Sequence, residues 1–323
     1  MVSSLCFFNL SLLHVESRQS YPLISEQILQ EAQESKPKTK KNKKGKGKRG
    51  RPLGSKNKNR TEVELSAFLL QLQGCIRQVL SLVGSNLALT YFVYDGLLGH
   101  NAGLQMVKQT GLHLISKLRH DSALYFPYNG EYSGIGKPKK YGKKVTPETL
   151  TDSCLRHESI EKNIKTKIYQ IEVWHKLFPC LLNVVILIKI NLKTGKTAKI
   201  ILFTDDLDLS YDKVIDYYKL RFQIEFNFRD AKQYWGLEDF MNTKETQVIN
   251  AANFSLFMVT FSQLLAPKIE GLEQRSMLDL KTCFRARKYT LRIIKSLGIK
   301  SEEFLSNDEI FQAAEIGRIH ASN

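Results

Sequence analysis

The first 94 residues of this 323-residue chain contain no aspartate. Its five cysteines (Cys6, Cys75, Cys154, Cys180 and Cys283) are scattered, and no two have the Cys-x-x-Cys spacing. Free thiols of a cytosolic protein are therefore expected, with no disulfide framework and no cysteine-ligated zinc. No run of 18 or more residues is purely apolar. We accordingly expect no membrane span.

Positive charge is concentrated in one segment. The formal net charge is +16, and residues 36–60 hold 13 Lys or Arg without any Asp or Glu, which leaves +3 for the rest. This segment lacks apolar periodicity and is expected to be disordered when free. Within it, Arg49, Gly50, Arg51 and Pro52 resemble an AT-hook, which lies in a narrow A·T minor groove. A non-specific polybasic linker is the alternative, and both interpretations predict salt-dependent DNA binding.

Two β-hairpins and three helices are predicted outside the central strand–helix–strand region. Residues 5–15 alternate in part between apolar and polar side chains, and with residues 21–28 they predict a β-hairpin. Two β-rich runs separated by residues 193–196 predict a second hairpin. Residues 250–266 form an apolar helix, and residues 275–318 have the pattern of two amphipathic helices.

The middle of the chain predicts a parallel strand pair. Thr61, with Glu64 as a capping box, is expected to begin a helix that ends at Gly84. A strand at residues 87–96, a helix at 100–111 and a strand at 112–118 follow. This strand–helix–strand order predicts two parallel buried strands, with Asp95 at the carboxyl end of the first. The alternative for Asp95 is an ordinary turn aspartate, as is common in Asp-Gly.

A long helix is predicted from Asp212 to Gly236, because this stretch has no proline and no internal glycine. Spacings of three, four and seven residues place Tyr218, Arg221, Glu225 and Lys232 on one stripe of that helix. A carboxylate between two cations suits a metal ion facing a phosphodiester. The alternative is an exposed face with Arg221–Glu225 and Glu225–Lys232 ion pairs.

The pattern Tyr-x2-Arg-x3-Glu-x6-Lys resembles the signature of one large group of bacterial insertion-sequence DDE transposases, the YREK group. The flanking segments ILFTDDLDLS and RFQIEFNFRDAKQYWGLEDF are similar to that group as well. The resemblance implies an α/β ribonuclease-H-like fold and a site for Mg²⁺ or Mn²⁺. It implies that Glu225 is the last of three metal-binding acids, and that Arg221 and Lys232, together with Tyr218, contact DNA.

The same resemblance assigns the second acid to Asp95, in the segment YFVYDGLLGH. Asp205 is rejected as a metal ligand, since only 20 residues separate it from Glu225. The resemblance implies that the first acid lies before Asp95, on the first strand of the sheet and just before the hairpin at 5–28. Glu16 is the only acid near that position, and it is a poor substitute because it lies at the end of a hairpin. We therefore expect that the chain begins after the first, central strand of the fold and that this copy is inactive.

Six segments follow from this assignment. They are a hairpin of the core at 1–35, a disordered basic DNA-binding segment at 36–60, a core helix with the strand–helix–strand unit at 61–118, a mostly β insertion at 119–202, a core strand end with the catalytic helix at 203–265, and a helical tail at 266–323.

Two functions are compatible with the sequence. The first is a transposase that cleaves element ends and joins them to target DNA, as a homodimer in the bacterial cytoplasm at the nucleoid. A stacking tryptophan found in some family members is missing from the strand KIILFTD. The second function is a non-catalytic DNA-binding remnant, bound through residues 36–60, Arg221 and Lys232.

Overall fold

Apolar strands and helices assemble into two units, each with its own core. The structure, a computed structural model, describes residues 6–28, 59–132, 134, 136–241, 244–268 and 276–298. The smaller unit combines Met1–Ile28 with Phe222–Asn323, and the larger unit is Leu29–Arg221. The basic residues 36–58, including Arg49, Gly50, Arg51 and Pro52, lie outside the described residues.

Ten strands are present in the described residues. They are β1 (Phe7–His14), β2 (Gln19–Gln27), β3 (Tyr91–Val93), β4 (His113–Leu118), β5 (Leu124–Pro127), β6 (Tyr141–Lys144), β7 (Leu155–Glu161), β8 (Ile164–His175), β9 (Leu181–Asn191) and β10 (Thr197–Thr204). The helices are α1 (Ala67–Val83), α2 (Asn101–Lys108), α3 (Tyr211–Leu220), α4 (Gln223–Trp235), α5 (Glu245–Leu265) and α6 (Met277–Ser296).

The larger unit is built on an eight-stranded mixed sheet. Its order is β3-β4-β10-β9-β8-β5-β6, and β7 pairs with β8. Only β3 and β4 are parallel, and the remaining pairs are antiparallel. This confirms the prediction of a mixed α/β fold of the ribonuclease-H-like kind, with a β-rich middle and a helical C-terminal region.

Long antiparallel strands supply the core of this sheet. Strand β9 has a continuous buried run from Leu182 to Ile186, as expected for a strand covered on both faces. It pairs with β10 over eight residue pairs, which confirms the hairpin predicted across residues 193–196. Helix α3 packs on this sheet through Val214 and Ile215, in a cluster that includes Ile115, Val185 and Leu202.

The parallel pair β3–β4 forms as predicted, but β3 is only three residues long. Residues 87–90 of the predicted strand belong to no strand in the described structure, and the pairing with β4 begins where the His113 N–H donates to the Thr90 carbonyl. Helix α2 connects the two strands, as their parallel direction requires.

The predicted start of the first helix is wrong. Helix α1 begins at Ala67, since the Ser66 hydroxyl accepts a hydrogen bond from the Leu69 N–H at 3.4 Å. The Thr61 hydroxyl instead donates to Asn59 at 2.7 Å, which removes it as a cap. Gly84, with a φ of 54°, ends the helix as predicted.

The long helix predicted over residues 212–236 is divided in two. Arg221 and Phe222 form a turn between α3 and α4, and the Glu225 N–H bonds to the Phe222 carbonyl. Each half packs in a different core. Leu220 is buried in the larger unit, whereas Ala231 of α4 packs against Leu256 and Val259 of α5.

The hairpin β1–β2 is also confirmed, and it forms a two-stranded sheet of its own. Helix α5 lies against it. The Asn253 amide accepts from the Ser25 N–H at 3.1 Å and donates to the Ser25 carbonyl at 2.9 Å. The Thr260 hydroxyl donates to the Pro22 carbonyl. Of the two helices predicted for the tail, α6 is present, and residues 299–323 lie outside the described part.

Two helical segments, Ala67–Asn86 and Glu245–Lys268, are long and apolar enough to cross a membrane by length and composition alone. One third of each apolar window is buried inside the protein. Core helices of soluble proteins meet the same criterion, so the prediction that the chain has no membrane span stays a prediction.

Replacing Asn253 with alanine should separate the hairpin from α5. We expect Asn253→Ala to lower the free energy of unfolding by about 1–3 kcal/mol, because the backbone groups of Ser25 lose both partners. Asn250→Ala, on the exposed side of the same helix, is the matched control and should be neutral or slightly stabilising. Urea denaturation of both variants measures the difference, and equal effects would contradict this role of Asn253.

Candidate active site

Asp95 lies at the carboxyl end of β3 and is exposed to solvent. Its carboxylate accepts a hydrogen bond from the Leu97 N–H at 2.8 Å and caps the short turn Gly96–Leu98. Its backbone carbonyl accepts from the hydroxyl of the fully buried Ser116, at 2.6 Å. The aspartate is thus a turn cap, as the alternative interpretation expects, and it is also fixed at the predicted edge of the sheet.

Glycines allow this turn to lie directly against β4. A Cβ atom on Gly99 would come within 2.2 Å of the Lys117 carbonyl oxygen. One on Gly103, at the start of α2, would come within 2.7 Å of the Leu98 carbonyl oxygen. Real Cβ contacts of this kind do not occur, so any side chain here would displace the turn that carries Asp95.

Asp95 and Arg221 both act electrostatically on Tyr94 and Tyr218 within the larger unit. Burial raises the pKa of Tyr218, and Asp95 raises it further, while Arg221 has the opposite effect. Burial followed by the charge of Asp95 also raises the pKa of Tyr94, and Arg221 again opposes the shift. The Arg221 guanidinium carbon is 5.6 Å from the centre of the Tyr218 ring. The four side chains therefore form one electrostatic cluster.

Arg221 has an unsatisfied donor. Its Nε is buried and has no hydrogen-bond partner among the described residues. A buried donor without an acceptor is unfavourable by about 1–3 kcal/mol. An anionic oxygen, such as that of a phosphate, would satisfy it with a charge-assisted bond.

Glu225 and Lys232 lie on α4, in the smaller unit. The single helical stripe predicted for all four residues is therefore wrong, because the chain turns after Arg221. Glu225 is exposed in the first turn of α4, where the helix dipole favours a carboxylate. Lys232 pairs with Glu238 and not with Glu225. The alternative of a Glu225–Lys232 ion pair is thus not realised in the described residues.

Asp205 has a different environment. Its side chain is 1% exposed, and it accepts from the Leu114 N–H at 3.0 Å, with His113 at 3.1 Å and Lys108 at 3.4 Å. The neighbouring Asp206 accepts from the Tyr91 hydroxyl at 2.7 Å. Both carboxylates are committed to contacts that hold β10 beside β3 and β4.

A comparison with family models decides the family. The model described as DDE superfamily endonuclease matches residues 3–174, more than half of the chain. The chain belongs to the DDE superfamily endonucleases. This confirms a DDE transposase-type family, for which a nuclease or transposase-type function and a DNA substrate follow. A comparison with curated proteins gives no match. The matched residues contain Asp95 and end before Glu225.

DDE endonucleases generally use divalent metal ions. Asp95 and Glu225 are exposed carboxylates, which are ligands that Mg²⁺ and Mn²⁺ prefer. No group of three or more His, Cys, Asp or Glu side chains suited to a metal occurs in the described part of this DDE endonuclease. Glu16 is exposed in the turn between β1 and β2. The residues therefore do not fit a complete three-carboxylate set.

Sequence reasoning missed Tyr94 of the cluster and Ser116, which donates to the Asp95 carbonyl. Tyr94 directly precedes Asp95 in YFVYDG, so its position was visible but its role was not. Ser116 lies 21 residues after Asp95 on another strand, and its contact depends on the register of β3 and β4. No local pattern marks it.

The turn that carries Asp95 is open to a direct test in this DDE endonuclease. Gly99→Ala should lower the free energy of unfolding by about 1–3 kcal/mol, because the new methyl group meets the backbone of β4. Gly74→Ala, on the exposed face of α1 with no atom within 4 Å of its Cβ position, should instead raise it by about 0.5–1 kcal/mol. Thermal or urea unfolding compares the two, and a neutral Gly99→Ala would show that the turn is not tightly held.

Proposed function

We propose that this chain is a member of the YREK group of insertion-sequence transposases that binds DNA but does not cut it. The observation that carries the proposal is the cluster of Asp95, Tyr218 and Arg221 at the carboxyl end of β3. A carboxylate, a phenol and a guanidinium with an unsatisfied Nε–H suit a phosphodiester with a divalent cation.

Each member of the proposed site has a role. Asp95 in the larger unit and Glu225 in the smaller unit would each be a ligand for Mg²⁺ or Mn²⁺, an ion that in this enzyme class activates a water or hydroxyl group and stabilises the leaving oxygen. Arg221 would bind a phosphate oxygen through its free Nε–H, and Lys232 would contact the backbone after releasing Glu238. Tyr218 orients the guanidinium by lying beneath it.

Two carboxylates support binding better than cleavage. A two-metal site needs ligands that fix both ions about 3.5–4 Å apart. The described acids supply Asp95 and Glu225, whereas Asp205 is enclosed by its own partners. The absence of aspartate before Asp95 leaves no evident third ligand.

Affinity for DNA has a second source in this proposal. Residues 36–60, with Arg49, Gly50, Arg51 and Pro52, carry most of the net positive charge and bind through counterion release. We also propose that two copies of the chain bind one DNA as a homodimer, at the nucleoid in the cytoplasm. The six segments given in the sequence analysis, with their boundaries, remain proposals as well.

Metal binding tests whether Glu225 or Asp205 is a metal ligand. Glu225→Gln should weaken the binding of Mn²⁺, because it replaces a charged ligand with a neutral one. Asp205→Asn should leave Mn²⁺ affinity unchanged and lower the unfolding temperature, because it leaves Lys108 without its buried partner. Titration followed by electron paramagnetic resonance gives both affinities. A larger loss of Mn²⁺ affinity in Asp205→Asn would reverse the assignment.

Cleavage is the test of the function itself. Residues 1–323 should bind DNA that carries the ends of the element and should neither nick nor join it with Mg²⁺ or Mn²⁺. Gel analysis of cleavage and strand transfer, beside a binding assay on the same DNA, measures both activities. Cleavage by the wild-type chain that disappears in Asp95→Asn would contradict the proposed inactivity. It would show that another acid completes the site, and Glu16 and Asp205 would then be substituted first.

A further inference from the structure

Helix α6 carries a stripe of positive charge. Five cations follow one another at spacings of four, three, four and three residues, and these are Lys281, Arg285, Lys288, Arg292 and Lys295. At about 100° per residue these spacings place all five within an arc of about 80°. The stripe is about 21 Å long at 1.5 Å per residue.

The stripe faces away from the core of the smaller unit. Leu280, Cys283 and Ile294 are the buried apolar residues of α6, and they lie on the other side of the helix. Arg285, Lys288, Arg292 and Lys295 are all exposed. Lys281 is the exception, since its ammonium group donates to the Tyr234 carbonyl and lies over the Trp235 ring.

No acid neutralises this stripe from its own helix. Asp279 is the only acidic residue of α6, and it is fully buried. Its carboxylate accepts from the Ser276 hydroxyl at 2.7 Å and forms a capping box at the helix start. No ion pair of the four exposed cations occurs within the part of the chain that the structure describes.

We propose that the α6 stripe, defined as Arg285, Lys288, Arg292 and Lys295, is a second DNA-binding surface that contacts the phosphate backbone. This inference rests on the proposed function, which makes DNA the partner. Charge complementarity selects the occupant, because successive phosphates of one strand rise by about 3.4 Å along the duplex. The distance from Arg285 to Lys295, about 15 Å at 1.5 Å per residue, therefore spans about four or five phosphates.

A membrane surface is the other polyanion that a basic helix fits. Membrane-bound amphipathic helices bury a broad apolar face in the lipid. Helix α6 packs its buried apolar residues within the smaller unit, where Met277 contacts the Trp235 indole. Four large apolar residues of α6 are exposed, but they lie on both sides of the stripe, Phe284 and Leu291 on one side and Tyr289 and Ile293 on the other. They form no single broad apolar face, and this favours DNA.

The test replaces the four exposed cations with glutamine in the full chain. Glutamine preserves helix propensity and removes four charges. The matched control replaces Lys189, Lys193, Lys196 and Lys199, which are exposed on the β9–β10 hairpin. A third variant, Lys288→Arg with Lys295→Arg, keeps the charge of the stripe. Thermal melting establishes that each variant is folded.

Binding is measured on a fluorescent DNA duplex over a series of salt concentrations. The α6 variant should lose affinity by about tenfold or more, and the slope of log affinity against log salt should fall by about 2–4, since each phosphate contact contributes about 0.9. The hairpin variant should lose much less, and the arginine variant should bind like the wild type.

Three results would overturn the inference. Equal losses in the α6 and hairpin variants would show a general effect of net charge. An α6 variant that binds DNA normally but loses binding to phosphatidylserine vesicles would assign the stripe to membranes. Wild-type protein that does not bind DNA would refute the proposed function as well, whereas normal DNA binding by the α6 variant would refute the α6 surface alone.

Discussion

The parallel pairing of β3 with β4 is the constraint on which the candidate site depends. Three residues of β3 set the register, and Ser116 of β4 then holds the carbonyl of Asp95. Gly99 lets the turn lie against the Lys117 carbonyl, so that the carboxylate is held at the sheet edge by backbone contacts. Because β4 also pairs with β10, the long antiparallel sheet supports this position from the opposite side.

A second constraint is the division of the apolar residues between two cores. Leu220 packs in the larger unit, and Ala231 packs against α5 in the smaller one. The chain turns at Arg221 and Phe222 as a result, and the Tyr-Arg-Glu-Lys motif is shared by α3 and α4. Tyr218 and Arg221 thereby remain in the larger unit with Asp95, while Glu225 and Lys232 lie on an exposed face of α4.

The sequence predicted what is periodic or local, and it did not predict what depends on packing. The two hairpins, the parallel pair and the C-cap at Gly84 followed from alternation and turn residues. The start of α1 was missed, because both Thr61 and Ser66 are good caps and only packing selects Ser66. The break after Leu220 was missed because no proline or glycine marks it. In the candidate site, Arg221 was named from the motif and Asp95 from the strand–helix–strand pattern with the family resemblance, whereas the contact of Ser116 depends on the register of β3 and β4.

The central claim is that Asp95, Tyr218 and Arg221 form one electrostatic unit, and the pKa of Tyr218 tests it most directly. Fluorotyrosine, whose phenol titrates at lower pH, allows a titration by fluorine NMR, with Tyr218→Phe to assign the signal. Arg221→Gln removes a positive charge that stabilises the phenolate, so it should raise the pKa of Tyr218. Asp95→Asn removes a negative charge and should lower it. A Tyr218 pKa that neither substitution changes would contradict the account.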